Sequence, residues 1–333
     1  MKKRKLCILV LCIVAFLLNG CIIGDTEYVL DLESVVPQGN HVFTINGNKC
    51  TQEEAKLYLC NYQNLYGKEY GMNLWEHDFG AMHKDETLKA YVKDITLSQL
   101  ANIICMNLLA EDKEVALTEM EIKKAHNAAN EYFASLSKEE IAYMGVDLDD
   151  VKLSYQKYAI AEKLYATLTQ GVNEEVSDDE ARVICVQQIF VSSQERAVEV
   201  QNKLANGDDF ASVASNYNEK DSIEITVKRG DYPSEVDRAA FNLDNGQQSG
   251  MITTAEGYYF VKCLSKYEEE LTELNKIDII AQRQKQQFDD VFHEFIVASE
   301  FDLNEQIWKD IDLDISGTIQ TDSFFKVYDK YFK

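Results

Sequence analysis

Three sets of residues in this 333-residue chain have types and spacing that could do chemistry. Asp310, Asp312 and Asp314 follow the D-x-D-x-D order of a calcium loop. The sixth position of that loop is Ile315 where a glycine must make the turn, and the twelfth is Thr321 where a bidentate glutamate belongs. The alternation of these aspartates with Ile311, Leu313 and Ile315 instead predicts a half-exposed edge strand. The five histidines, His41, His77, His83, His126 and His293, make no H-E-x-x-H and no clustered ligand set. No glycine-rich loop is present to cradle phosphate. The expectation is therefore no metal, no cofactor, and histidines with surface or structural roles. The third set is the eight cysteines, the first three of which fall before position 22.

Cys21 has the clearest setting. Lys2 to Lys5 form a basic start, Leu6 to Leu18 is an apolar run too short to span a bilayer, and L-N-G-C (Leu18 to Cys21) follows. The tetrapeptide resembles a bacterial lipobox, so residues 1–21 read as a lipoprotein signal peptide and Cys21 as the acylated residue that ties the protein to a lipid bilayer. Several acyl chains hold firmly where one would not. Residues 22–41 read as a tether with an r.m.s. reach of roughly 25 Å if flexible. Four of the 33 basic residues and none of the 57 acidic ones lie in the signal, so the remainder carries 29 against 57, a formal charge of −28. Such a surface repels nucleic acid and anionic headgroups, which excludes both as partners.

The elements that must hold any site are densest between Arg182 and Lys266. RVICVQQIFV (Arg182 to Val191) suits a buried strand. Gln194 to Tyr217 repeats Ala197, Val200, Leu204 and then Phe210, Val213, Ala214 at helical spacing, broken at Gly207. Ile223 to Tyr232 reads as a second strand, Glu235 to Leu243 as a short helix, Asp244-Asn245-Gly246 as a turn and Gly257 to Ser265 as a final strand. The order is β, α, α, β, α, β.

Before this stretch, HVFTINGNKCT (His41 to Thr51) predicts a hairpin turning at Asn46-Gly47. Capping boxes at Thr51/Glu54, Thr118/Glu121, Ser137/Glu140 and Ser177/Glu180 start helices, and further helices are predicted from Glu86 to about Lys113 and from Asp147 to about Leu168. The Glu86 helix is apolar nearly all round in its second half, which marks a central, buried element. Tyr62, Tyr66, Tyr70 and Trp75 read as core. After Lys266 a helix is predicted to about Ser299, with Ile277, Ile280, Phe288, Val291, Phe292 and Phe295 as an apolar stripe that must pack on something else. Two prolines in the whole chain, Pro37 and Pro233, leave these helices uninterrupted.

Four phrases in the central stretch carry a resemblance: L-x-x-G-D-D-F-A-S-V-A-S (Leu204 to Ser215), R-G-D-Y (Arg229 to Tyr232), A-A-F-N-L-D-N-G-Q-Q-S (Ala239 to Ser249) and T-x-E-G-Y-Y-F-V-K (Thr254 to Lys262). They resemble, in order, the signatures of the parvulin (PpiC-like) peptidyl-prolyl isomerases. The flanks, chiefly T-I-N-G-N-K-C-T-Q-E-E (Thr44 to Glu54), are similar to those of secreted parvulin foldases and chaperones, in which helices on both sides form one binding module. The resemblance implies an α+β fold: a helical chaperone-like module of N- and C-terminal segments, 42–176 and 268–333, with a parvulin-like domain, 177–267, inserted as an antiparallel sheet flanked by helices.

Its active site maps residue by residue. Gln188 and Tyr259 stand where the family has two histidines, and Asp221 where it has a Cys or Asp. Tyr232 replaces the pocket leucine, Val236 a phenylalanine, and Phe241 and Thr254 match. These substitutions imply a degenerate site. Cys185 and Cys263 fall on strands that the fold sets side by side but on opposite faces, so both thiols are expected to be buried and reduced. Two readings stay open: a membrane-anchored peptidyl-prolyl isomerase-like foldase for exported proteins, and a catalytically inert parvulin-fold holdase lipoprotein that binds unfolded polypeptides. Both imply the bacterial cell envelope, on the extracytoplasmic face of a membrane.

Overall fold

The computed structural model describes residues 39–71, 75, 87–314 and 316–333. The signal peptide, Cys21, all but the last residues of the tether, His77, His83 and Ile315 lie outside the described residues. In chain order the elements are β1 (His41–Ile45), β2 (Asn48–Thr51), α1 (Gln52–Tyr70), α2 (Leu88–Asp112), α3 (Glu119–Ser135), α4 (Lys138–Met144), α5 (Leu148–Leu168) and α6 (Asp178–Ala181). Then follow β3 (Ile184–Val191), α7 (Gln194–Ala205), α8 (Phe210–Tyr217), β4 (Glu224–Val227), α9 (Ser234–Ala240), β5 (Ile252–Thr253), β6 (Tyr258–Ser265), α10 (Glu269–Val297), β7 (Phe301–Leu303), α11 (Glu305–Asp310) and α12 (Phe324–Phe332). Among the described residues no helix is long and apolar enough to cross a membrane.

Two compact units result. One combines the chain up to Gln170 with Phe288–Lys333, and the other is Gly171–Gln287.

In the first unit Asn46 (φ 47°) and Gly47 (φ 80°) both take left-handed backbone, the geometry of the two-residue hairpin turn that joins β1 to β2. On its other edge β1 pairs antiparallel with β7, Phe43 opposite Leu303 and Ile45 opposite Phe301. Segments about 260 residues apart thus share one sheet. Thr118, Ser137 and Asp147 each close a capping box, which fixes where α3, α4 and α5 begin. The core between them is aromatic: Phe324 of α12 stacks on Tyr155 of α5 at 4.2 Å and meets Tyr58 and Tyr132 at 5.2 and 5.5 Å. Tyr62 and Trp75 are buried, and Tyr66 is half-buried.

The tail departs from its expected strand. Asp310 ends α11, and among the described residues after it none forms a strand. Asp314 folds back to accept N–H bonds from Ser316 (3.0 Å) and Ile319 (2.9 Å), an aspartate turn that competes with extended pairing. The strand lies earlier, at β7, where the backbone finds an edge to pair with.

The second unit is a four-stranded antiparallel sheet in the order β4-β3-β6-β5. Alternation along β3 and β6 divides its core. Ile184, Val186, Phe190, Tyr259, Val261 and Cys263 face α9, while Ile189, Val191 and Phe260 face α7 and α8. The strand expected from Ile223 to Tyr232 stops at Val227. The Asp231 carboxylate takes the Lys228 N–H at 2.7 Å and Gly230 adopts φ 90°, so Arg229 to Tyr232 is a turn. β5, two residues long, has too little sequence to show a period. The first half of α10 also belongs here: Thr272 Oγ1 accepts the Val183 N–H at 3.1 Å and Asn275 Nδ2 donates to the Ala181 carbonyl at 2.8 Å.

Candidate functional site

The sheet sets the geometry. Register opposes Gln188 to Val261 and Phe190 to Tyr259, so Gln188 and Tyr259 are diagonal neighbours on one face of the adjacent strands β3 and β6. The turn after β4 then brings a third side chain to them. Tyr232 donates from its hydroxyl to Gln188 Oε1 at 2.9 Å, and its ring meets that of Tyr259 edge-on at 5.8 Å. Gln188 in turn donates from Nε2 to the Ser222 carbonyl at 2.9 Å. Its amide oxygen and one amide N–H are thereby engaged within the domain. Burial, then the neighbouring Tyr259 and Asp231, push the Tyr232 phenol well above its ordinary range, so it stays a protonated donor at neutral pH.

The remaining positions divide. Val236, on the inner side of α9, is fully buried in the same cluster. Phe241 is buried too, with the guanidinium groups of Arg229 and Arg182 at 4.6 and 5.3 Å from its ring. Arg229 is itself held by both oxygens of Asp179 at 2.9 Å. Phe241 is thus a core residue beneath two arginines. Thr254 closes a turn, donating from Oγ1 to the Gly257 carbonyl at 3.0 Å and accepting the Glu256 N–H. Asp221 is not gathered in: it is exposed, and among the described residues its carboxylate has no partner.

Two residues that sequence reasoning passed over organise the loop beside Gln188. Asn218 accepts the Phe190 N–H at 3.0 Å and donates to the carbonyls of Lys220 (2.8 Å) and Ser222 (3.2 Å). The available signal was its position just past α8, where asparagine commonly closes a helix. Lys220, on the same loop, holds its ammonium 4.7 Å from the Phe190 ring centre.

Cys263 lies opposite Val186, and Cys185 opposite Ser265, so the two thiols point to opposite faces and both are free. Cys185 is half-buried where burial was expected, at the strand start beside a register shift. Burial raises both thiol pKa values, keeping the groups protonated and poorly nucleophilic.

This constellation holds no general base and no nucleophile aimed into a cleft. It can present hydrogen-bonding and aromatic groups to a polypeptide.

Comparison with known proteins assigns the fold. Residues 173–278 match the family described as the PPIC-type PPIASE domain. The chain is 24% identical over 247 residues to the foldase protein PrsA of Caldanaerobacter subterraneus subsp. tengcongensis, covering 67% of this chain and 73% of that one. It is 30% identical over 179 residues to foldase protein PrsA 3 of Bacillus anthracis, covering 50% of this chain and 62% of the relative. The peptidylprolyl isomerase PrsA crystal structure from Bacillus cereus aligns over 76% of this chain and 99% of its own, at 19% identity and a TM-score of 0.37. The central unit is a parvulin-type domain of the PpiC kind.

Proposed function

We propose that this chain, whose central unit is a parvulin-type domain, is a foldase-like holdase of the bacterial envelope that binds unfolded exported polypeptides and has lost most or all prolyl isomerisation. One observation carries the second half of that reading: the side chains at the pocket positions satisfy one another. Isomerisation must lower a rotation barrier of roughly 18–20 kcal/mol by gripping the proline ring in an apolar pocket and stabilising the twisted amide. Here Tyr232 spans from Tyr259 to Gln188 and is bonded at its far end, while Val236 lies fully buried behind it. A proline ring entering this place must break the Tyr232 bond and displace its ring.

The first half rests on the family match over residues 173–278 and on the similarity to PrsA foldases outside that domain. The lipobox-like L-N-G-C supports an acylated Cys21 and an extracytoplasmic, membrane-anchored location. A surviving isomerase is the second reading. It is favoured by the adjacency of Gln188 and Tyr259 on β3 and β6, because both side chains still form hydrogen bonds.

A protease-coupled proline-peptide assay beside an aggregation assay on a denatured reporter protein separates the two. The holdase suppresses aggregation without accelerating isomerisation, and acceleration by the wild-type chain overturns the inert reading. Labelling with radioactive palmitate tests the anchor: the Cys21→Ser variant should take up no label and appear in the medium.

A further inference from the structure

Helix α10 is inside out where it crosses the second unit. A helix packed on a domain normally turns its apolar stripe inward and its polar side outward. Here the inward residues are Thr272 (0% exposed) and Asn275 (5%), each spent on one backbone hydrogen bond to the segment before β3. The outward residues are Leu271, Leu274 and Ile277, at 37%, 38% and 40% exposure. Spaced three apart, they follow one side of the helix, and Tyr267 (39%) extends the line just before its start. Of the eight large apolar side chains exposed among the described residues, four fall in these eleven positions. Scattered leucines on a surface need no account, but a row of them opposite a polar buried face does.

The charge around the row says what it would accept. The segment Tyr267 to Asp278 carries five carboxylates and one ammonium. Lys276 is shared by Asp178 and Glu273, Lys228 pairs with Asp278 at 2.7 Å and Lys266 with Asp244, so acid stays in excess along the row. A second copy of this chain, with a formal charge of −24, would bring acid to acid. A segment with aliphatic side chains flanked by lysine or arginine meets apolar surface in the middle and opposite charge at the rim.

We propose that the outer face of α10, Tyr267 through Ile277, is a docking strip for basic, aliphatic-rich segments of non-native polypeptide. The strip rests on the holdase reading but is separate from the Gln188–Tyr232–Tyr259 constellation. Its apolar row supplies affinity and its acidic border selects cationic segments.

The test uses the full chain and two fluorescent twelve-residue peptides, one with leucines between arginines and one with the same leucines between glutamates. The expected result is at least tenfold tighter binding of the arginine peptide. That preference should shrink by half or more in 0.5 M salt. The variant Leu271→Ser/Leu274→Ser/Ile277→Ser should bind the arginine peptide at least tenfold more weakly while keeping its circular dichroism spectrum at the assay temperature. Its unfolding midpoint should fall, because at 37–40% exposure each side chain is still partly covered. Two results overturn the strip: equal binding by variant and wild type, or a concentration-dependent dimer in sedimentation that the triple substitution abolishes, which would give the face to a second copy. If the triple variant loses peptide binding only by unfolding, the single exchange Glu273→Lys decides, since the strip then requires reduced preference for the arginine peptide. Failure of the wild-type chain to suppress aggregation would sink the holdase reading by itself. Suppression that persists with no effect of the triple substitution would sink only the strip.

Discussion

The hydroxyl of Tyr232 lies 2.9 Å from the side-chain oxygen of Gln188, and the two residues join the turn after β4 to the middle of β3. Removing the hydroxyl leaves a buried amide oxygen without that donor. Tyr232→Phe should therefore lower stability by about 1–2 kcal/mol, read as a shift of the urea midpoint. Tyr232→Leu shortens the side chain and opens space beside Tyr259. It should accelerate isomerisation of a proline tetrapeptide above the wild-type rate; a variant no faster than the wild type would mean that the Tyr232 ring is not what limits isomerisation.

Gly257 cannot be replaced. Its φ is 152°, and a Cβ there would sit 2.6 Å from the Val191 carbonyl oxygen and 2.9 Å from the Phe190 ring. Both contacts involve β3, so relief would require parting the two central strands. Gly257→Ala should cost at least about 2 kcal/mol, combining backbone strain with the clash. Thermal unfolding of the variant checks this, with the loss confined to the transition of the central domain.

Acid should loosen the tail from α4 before it unfolds the chain. Glu140 is buried; burial alone would raise its pKa, but N–H groups of Ser137, Gln320 and Thr321 outweigh it and hold the carboxyl below the ordinary glutamate range. A depressed folded-state pKa gives stability that is complete above the unfolded value, about 4.3, and is lost as pH falls through the lower folded value. Amide protection at Gln320 and Thr321, which donate to Glu140 at 2.9 and 2.8 Å, should fall below about pH 4 ahead of global unfolding. Glu140→Gln should abolish that pH dependence.

Lys157 reaches both oxygens of the buried Glu54 at 2.8 Å, tying α5 to the first turn of α1. Lys157→Met leaves that carboxylate buried and uncompensated, and the expected loss is about 3 kcal/mol. The double exchange Glu54→Gln/Lys157→Met should recover a large part of it. Equal stability of the single and double variants would show that the ammonium contributes packing only.

How much of this was legible beforehand follows from how local each signal is. The starts of α3, α4 and α5 were readable because a capping box lies within four residues. The hairpin at Asn46-Gly47 was readable because two left-handed residues in a row need those types. β5 and α12 were not: a two-residue strand has no period, and the aromatic face of α12 is defined by tyrosines from α1, α3 and α5 far off in the chain. At the site, the β3 and β6 positions came from motif order. The Tyr232 bond depends on how the Lys228–Asp231 turn aims one ring, and the role of Asn218 on two carbonyls after α8. The polar inner face of α10 ran against the periodicity rule, which marks only apolar stripes as inward.

The pairing of β1 with β7 sets a schedule for the nascent chain. Phe43 emerges from the ribosome about 260 residues before Leu303, its partner across the ladder. At synthesis rates of roughly 5–20 residues per second, that strand edge waits some 13–50 s for its mate. During this interval its open backbone groups are available to other chains. The central unit, complete by Gln287, can finish in the meantime. Slow translation or a stalled C-terminus should therefore leave half-made molecules that cluster through their amino-terminal hairpins while already carrying a finished parvulin-type domain.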